Sequence, residues 1–354
     1  MSERVPVGVL GATGTVGQEF IAGLADHPWF EVAWIGASER SAGKPYADAT
    51  AWRLPTPRPE FVAGMTVQRC EPGGASPSLV FSGLDSSAAG EVERAFAEAG
   101  HTVVSNARNY RMETDVPLLI PEINADHLAL LDVQGRARGW PGCIVTNPNC
   151  STIVLTLALA PLRPFNPSRV TVSTLQAVSG AGYPGVASLD ITGNILPHIR
   201  GEEDKMETET QKILGTLNGG AIHPHPMVVS ATTTRVPVLN GHTMLVSVEF
   251  EDSPSEQDLI DAFRSFGGRP QEEGLPTAPA RPIHYTGDPD RPQPRLDVDC
   301  EQGMAVTVGR LRRCPVLDWK FVALGHNTIR GAAGAAILNA EMMRVDGLLN
   351  QRAS

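Results

Sequence analysis

The chain opens with a continuous apolar run that gives way to helical spacing. Residues 7–10 are apolar, residues 11–17 form a glycine-rich turn, and Val16, Phe20, Ile21 and Leu24 then recur on one helix face. Proline is tolerated only at the first residue or on the edge of a strand, so the strand is expected to start at Pro6 or Val7. His27-Pro28 ends the helix, and residues 30–35 follow as a second buried strand. Residues 79–81, 102–104 and 143–145 read as further buried strands. Between them a helix over 90–99 presents Val92, Ala95, Phe96 and Ala99 on one side. Strands alternating with helices predict a mostly parallel, doubly wound sheet, so the fold class is α/β.

Past about residue 150 the pattern changes. An apolar helix is expected over 153–162, followed by longer, alternating strands at 169–173, 227–238, 243–250 and 304–311. Long loops separate them, which suggests a mixed or antiparallel sheet with helices on one face. Segment 267–299 is rich in Pro, Gly, Asp and Arg and reads as an ordered surface loop region. A last helix is expected over roughly 328–349, with Ile329, Ala332, Ala336, Ile337 and Met343 on its apolar side. The change of pattern divides the chain into a nucleotide-binding domain over 1–149 and a second α+β domain over 150–327, with the last helix and its tail at 328–354 following.

Composition narrows the function. The 354 residues are 42% hydrophobic and 19% charged, an ordinary globular balance. The net charge of −10 and the lack of a Lys/Arg stripe argue against nucleic acid as a partner. The longest apolar run is too short for a membrane span, and no apolar leader precedes the first glycines, so a cytoplasmic protein is expected. Five cysteines cannot all pair and none stands in a CxxC, which fits free thiols in a reducing compartment. No Cys/His spacing resembles a metal site, so no metal is expected.

Two segments carry chemistry. Gly11-x-x-Gly14-x-x-Gly17 sits after a strand and opens a helix, where glycine lets the backbone approach a pyrophosphate and the helix N-terminus offers unpaired N–H groups. At the end of the second strand, Ser38, Arg40 and Ser41 favour a ribose 2′-phosphate and hence NADP, while Glu39 could serve NAD. Asn147-Pro148-Asn149-Cys150 leads directly into the apolar helix. Cys150 would then stand at a helix N-terminus, where the dipole and one cationic neighbour could lower its pKa from about 8.5 to near 7. Among nine histidines, His242 follows Asn240-Gly241 at a tight turn, with Arg235 seven residues earlier.

GATGTVG, ASERSAGK, SNARNYRM, VTNPNCST, LQAVSGAG, GEEDK, TRVPVLNGHT, RPQPRLD and HNTIRGAAGA occur in one order along the chain. In that order they resemble the aspartate-semialdehyde dehydrogenases of the archaeal and fungal branch. The resemblance implies a Rossmann domain, a larger catalytic and dimerisation domain, and a C-terminal helix packing back on the first. It also implies a homodimer or homotetramer that reduces L-4-aspartyl phosphate with NADPH. Carried over by motif, Cys150 is the nucleophile and His242 the general acid/base. Gln176 orients the substrate, Arg235 grips its α-carboxylate, and Glu203 and Lys205 meet its amino group and phosphate, with Glu202 one residue out of register. Arg111 is the phosphate arginine, with Arg108 nearby, and Asn149 helps bind phosphate or substrate. Cofactor contacts are implied at Gly11, Thr13, Gly14, Thr15, Val16 and Gly17, at Ser38, Arg40 and Ser41, and at Ser179, Gly180 and Asn327. A malonyl-CoA reductase would use the same thiol and hydride chemistry. A non-catalytic NADP-binding protein is the alternative of another class, against which the presence of both Cys150 and His242 argues.

Overall fold

The computed structural model describes residues 4–349. Six strands, β1 (Val5–Leu10), β2 (Phe30–Ala37), β3 (Gln68–Arg69), β4 (Leu79–Ser82), β5 (Thr102–Ser105) and β6 (Cys143–Thr146), form one parallel sheet. Its order is β3-β2-β1-β4-β5-β6, so the winding reverses between β1 and β4 and a crevice opens beyond their carboxyl ends. Helix α1 (Thr15–Leu24) follows β1, and α2 (Ser86–Glu98) follows β4. β1 begins at Val5, one or two residues before the expected start. Pro6 is accommodated because the ladder to β4 starts only at Val7, so its missing N–H faces no partner there. α2 starts before the apolar periodicity does, because Asp85 caps it by accepting from the Ser87 N–H at 2.9 Å.

The second sheet is built from β7 (Pro167–Gln176), β10 (Val228–Arg235), β11 (His242–Phe250), β12 (Ile283–Thr286), β13 (Val306–Arg313) and β14 (Trp319–Gly325). A small hairpin, β8 (Thr216–Asn218) with β9 (Ala221–His223), stands apart. The order β10-β7-β11-β14-β13-β12 is mixed: β10 with β7 and β12 with β13 are parallel, the rest antiparallel. Three expectations change here. Segment 267–299 is not all loop, since Ile283–Thr286 pairs with β13 as an edge strand. β14 was not anticipated, although Trp319–Gly325 lies between β11 and β13. β10 stops at Arg235, ahead of Pro237, which has no N–H for a ladder.

Helices α3 (Cys150–Leu159) and α4 (Glu202–Ile213) pack against each other, α3 being buried on every side after its first residue. The expected last helix is broken into a π-turn at Ile329–Ala333 and α5 (Gly334–Val345). It ends before 349, with Gly347 in the left-handed region at φ +71°. The expected span 350–354 lies outside the described residues. Ala336, Ile337, Leu338, Met342 and Met343 of α5 share the core of the first sheet with Phe20, Ile21 and Phe81. The two ends of the chain therefore make one core.

Beneath the crevice, Glu93 of α2 is fully buried and accepts from Ser105 Oγ at 2.7 Å. Burial pushes its carboxyl up to about 7, against the hydrogen bonds from Ser82 and Ser105. Between its ordinary value of 4.5 and about 7 the unfolded chain releases this proton while the folded chain keeps it, so Glu93 removes stability as pH rises through that window. Glu93→Gln should therefore gain on the parent by up to about 3 kcal/mol between pH 5 and pH 8. Urea unfolding at both pH values checks it; a difference between the two proteins that does not change with pH would refute the assignment.

Candidate active site

A cleft of about 940 Å³ runs from the first glycine turn to Cys150. Thr13, Gly14, Thr15 and Val16 line one end, and Asn106, Arg108 and Arg111 stand along its wall. Gly11 and Gly17 shape the turn instead of lining the cleft. Gly11 has φ +74°, and a Cβ on Gly17 would run into the Gly11 carbonyl and Ala12. Gly14 caps α1 with no side-chain hydrogen bond, so the first-turn N–H groups are left for a ligand. The main chain of Ala12 bonds to Gly36 at 3.0 Å, which sets the turn beside the end of β2. Ser38, Arg40 and Ser41 follow there on a surface turn outside the cleft lining, and Glu39 has Arg69 at 3.8 Å.

The reactive end is assembled by register. β10 and β7 run parallel with Arg235 opposite Gln176, and β11 runs back beside β7 with Thr243 opposite Leu175. Arg235, Gln176 and His242 thus emerge at one edge of the sheet. His242 Nε2 lies 3.3 Å from Cys150 Sγ, and Gln176 Nε2 lies 3.4 Å from the same ring nitrogen. Gly180 must lack a side chain, because a Cβ would come within 2.9 Å of Arg235 and 3.0 Å of His242. Gly331 of the π-turn is constrained in the same way, with a Cβ meeting that of Cys150 at 2.6 Å. Sequence periodicity carried no sign of Gly331, since it reads there as one more small residue in a helix.

One expectation is corrected, and two sets of expected residues have protein partners. Glu202, not Glu203, reaches the thiol: it accepts from Asn149 Nδ2 at 3.0 Å, from Gln176 Nε2 at 3.3 Å and from Lys205 Nζ at 2.7 Å. Glu203, one residue on and about 100° around the helix, accepts instead from the Thr233 N–H at 2.9 Å. Asn149 does not offer its side chain freely to a substrate. Its Oδ1 caps the Ser151 and Thr152 N–H groups and its amide serves Glu202. Ser179 and Asn327, expected at the cofactor, bond to each other at 2.8 Å, and Asn327 also takes the Gly241 N–H at 2.8 Å, which fixes the turn before His242.

Electrostatics correct the thiol as well. Burial, and next the Glu202 carboxylate, push Cys150 up to about 11, outweighing Arg235, Arg111 and Lys205. The helix start cannot reverse this, because its next two N–H groups are already capped by Asn149. Burial and the Arg235 charge hold His242 down at about 3, while Ala177 N–H points at Nδ1 from 3.2 Å. Burial therefore favours the uncharged form of both thiol and imidazole. Burial works to raise Glu202, but the Lys205 charge and the hydrogen bonds from Lys205, Asn149 and Gln176 outweigh it and keep the carboxyl ionised. No group of three or more His, Cys, Asp or Glu able to hold a metal occurs among the described residues.

Comparison with known proteins places this geometry. A family model described as semialdehyde dehydrogenase, NAD binding domain, matches residues 6–131, and one described as semialdehyde dehydrogenase, dimerisation domain, matches residues 159–330. Aspartate-semialdehyde dehydrogenase of Archaeoglobus fulgidus is 51% identical over 340 residues, covering 96% of this chain and 98% of its own. That of Methanothermobacter thermautotrophicus is 51% identical over 343 residues, covering 96% and 99%. A crystal structure of aspartate semialdehyde dehydrogenase with NADP from Candida albicans superposes with a TM-score of 0.90 at 45% identity, covering 98% of this chain and all of that one.

If the Glu202 charge helps to raise the Cys150 thiol, Glu202→Gln should move the pH profile of Cys150 alkylation by iodoacetamide toward lower pH. A shift of half a unit to one unit is roughly the scale of one nearby charge. Rates measured by mass spectrometry of the Cys150 peptide decide it; a profile that moved upward would remove Glu202 as the cause.

Proposed function

This chain belongs to the aspartate-semialdehyde dehydrogenase family, and from that premise we propose how its residues divide the reaction. It is an oxidoreductase that interconverts L-4-aspartyl phosphate and L-aspartate 4-semialdehyde with NADP. The observation that carries the reading is the Cys150–His242 contact of 3.3 Å in the same cleft as an uncapped nucleotide turn.

The residues present suit the cofactor. The N–H groups at the start of α1 and the turn at Thr13–Val16 would hold its pyrophosphate. Ser38, Arg40 and Ser41 would take the 2′-phosphate, with Arg69 standing between the acidic Glu39 and Glu71. When bound, NADPH supplies the hydride that reduces the acyl carbon.

Arg235 grips the α-carboxylate with a guanidinium already held by the Ala177 carbonyl at 2.7 Å. Glu202 pairs with the ammonium, and Arg111 and Lys205 surround the phosphate. The Cys150 Sγ attacks the acyl phosphate while its proton passes to His242 Nε2, a transfer that uses the Nδ1–H tautomer of the ring and so releases the Ala177 N–H from Nδ1. Since both groups rest neutral, this transfer accompanies attack instead of preceding it. The developing oxyanion falls to the Cys150 N–H, as those of Ser151 and Thr152 are occupied. Phosphate departs, leaving a thioester on Cys150. Once its carbonyl carbon is reduced, His242 returns the proton as the thiohemiacetal collapses.

The dimerisation-domain match supports an oligomer. We place its contact on the open face of the second sheet, where Thr171, Ser173 and Leu175 alternate with buried residues and Val228 and Leu245 are also exposed. Among the described residues no helix is long and apolar enough to cross a membrane. We assign the activity to the cytoplasm.

NADP reduction with aspartate semialdehyde plus phosphate, run beside malonate semialdehyde plus CoA, tests the substrate. Turnover with the first pair should dominate and vanish in Cys150→Ser. His242→Asn should lower kcat by about 10²- to 10⁴-fold with KM little changed. Preference for the malonate pair, or a Cys150→Ser enzyme that still turns over, would overturn the reading.

A further inference from the structure

Helix α4 carries four charged residues at intervals of three, four and three: Glu202, Lys205, Glu209 and Lys212. That spacing puts them on one face. The first pair faces the thiol, and the second pair has no part in the chemistry above. Glu209 is 2% exposed, and its two oxygens divide their work. Oε1 accepts from Arg111 Nη1 at 3.0 Å, and Oε2 accepts from the Asn149 N–H at 2.8 Å. Lys212 donates to three main-chain carbonyls of the loop that carries the arginine: Arg111 at 2.7 Å, Glu113 at 2.7 Å and Val116 at 2.9 Å. Arg111 is completed by Nη2 on the Asn106 carbonyl at 2.6 Å, while its buried Nε has no partner.

We propose that Glu209 and Lys212 are positioning residues for phosphate recognition, setting the Arg111 guanidinium at a fixed place relative to Cys150. The proposal rests on the reading of Arg111 as a phosphate ligand. One carboxylate joins the phosphate arm to the residue before the nucleophile, so the two cannot drift apart without losing a charge-assisted bond. A guanidinium already held through one N–H of Nη1 and one of Nη2 loses little freedom when an anion arrives at the N–H groups left over. Lys212 holds the loop from its backbone, where a side-chain ion pair alone would leave it free to swing.

The test uses the whole enzyme in the phosphorylating direction. Glu209→Gln keeps an acceptor for Asn149 but turns an amide toward Arg111. It should raise the KM for phosphate about 10- to 100-fold, the scale of one charge-assisted bond, with the KM for aspartate semialdehyde changed less than about threefold. Protection of Cys150 from iodoacetamide by inorganic phosphate, measured without turnover, should weaken by the same factor. In an Arg111→Ala background, Glu209→Gln should add less than about twofold, because it acts through that arginine. Lys212→Met should raise the phosphate KM in the same selective way and speed amide exchange across 111–116. Should Glu209→Gln not fold, Glu209→Asp, which keeps the charge on a shorter arm, should show the same selective rise at smaller size. Equal rises in both KM values, or additive effects in the Arg111→Ala background, would make Glu209 a plain structural ion pair and overturn the proposal. An unchanged phosphate KM in Arg111→Ala itself would instead overturn the underlying reading of that arginine.

Discussion

The cleft depends on how the chain passes from β6 into α3. That junction is buried, and a buried helix start exposes N–H groups that must find acceptors inside the protein. Asn149 answers two of them with its own side chain, and Glu209 answers a third from the neighbouring helix. Glu202, seven residues before Glu209, takes the amide of the same asparagine. Two carboxylates from one helix therefore hold the residue next to Cys150 from two sides. Each of them also holds a cation of the cleft, Lys205 for one and Arg111 for the other. Satisfying a helix end and building an anion site become a single arrangement.

The same density of partners explains the state of the reactive pair. Three cations stand close enough to Cys150 to favour its thiolate, yet burial and Glu202 prevail. A neutral thiol is slow to react with stray electrophiles, and the imidazole nitrogen stands 3.3 Å from the sulfur when a carbonyl is presented.

Local periodicity and turn chemistry made most of this fold legible. The first glycine turn, the buried strands around it and the helix behind Cys150 are all short-range patterns, and they stand where spacing indicates. What escaped depends on contacts between distant segments. The strand at 283–286 is four residues inside a Pro/Gly-rich stretch, and only its pairing with β13 makes it a strand. Thr328–Leu349 looks like one helix by composition, whereas crowding of Gly331 against Cys150 accompanies a π-turn in its first part. At the site, motif and geometry part by one residue at Glu202. Helical phase could have decided it, because Glu202, Lys205 and Glu209 share a face that Glu203 does not.

The core shared by α5 and the first sheet has a consequence for how the protein is made. During synthesis β1 and α1 leave the ribosome long before the residues that complete their core, Ala336 to Met343. Until then Phe20, Ile21 and Phe81 lack part of their apolar cover, and the second sheet must form as an insertion within an unfinished unit. The nascent chain therefore carries an unfinished apolar surface while the whole second sheet is being made. Truncation near the C-terminus should strike the beginning of the chain as hard as its end.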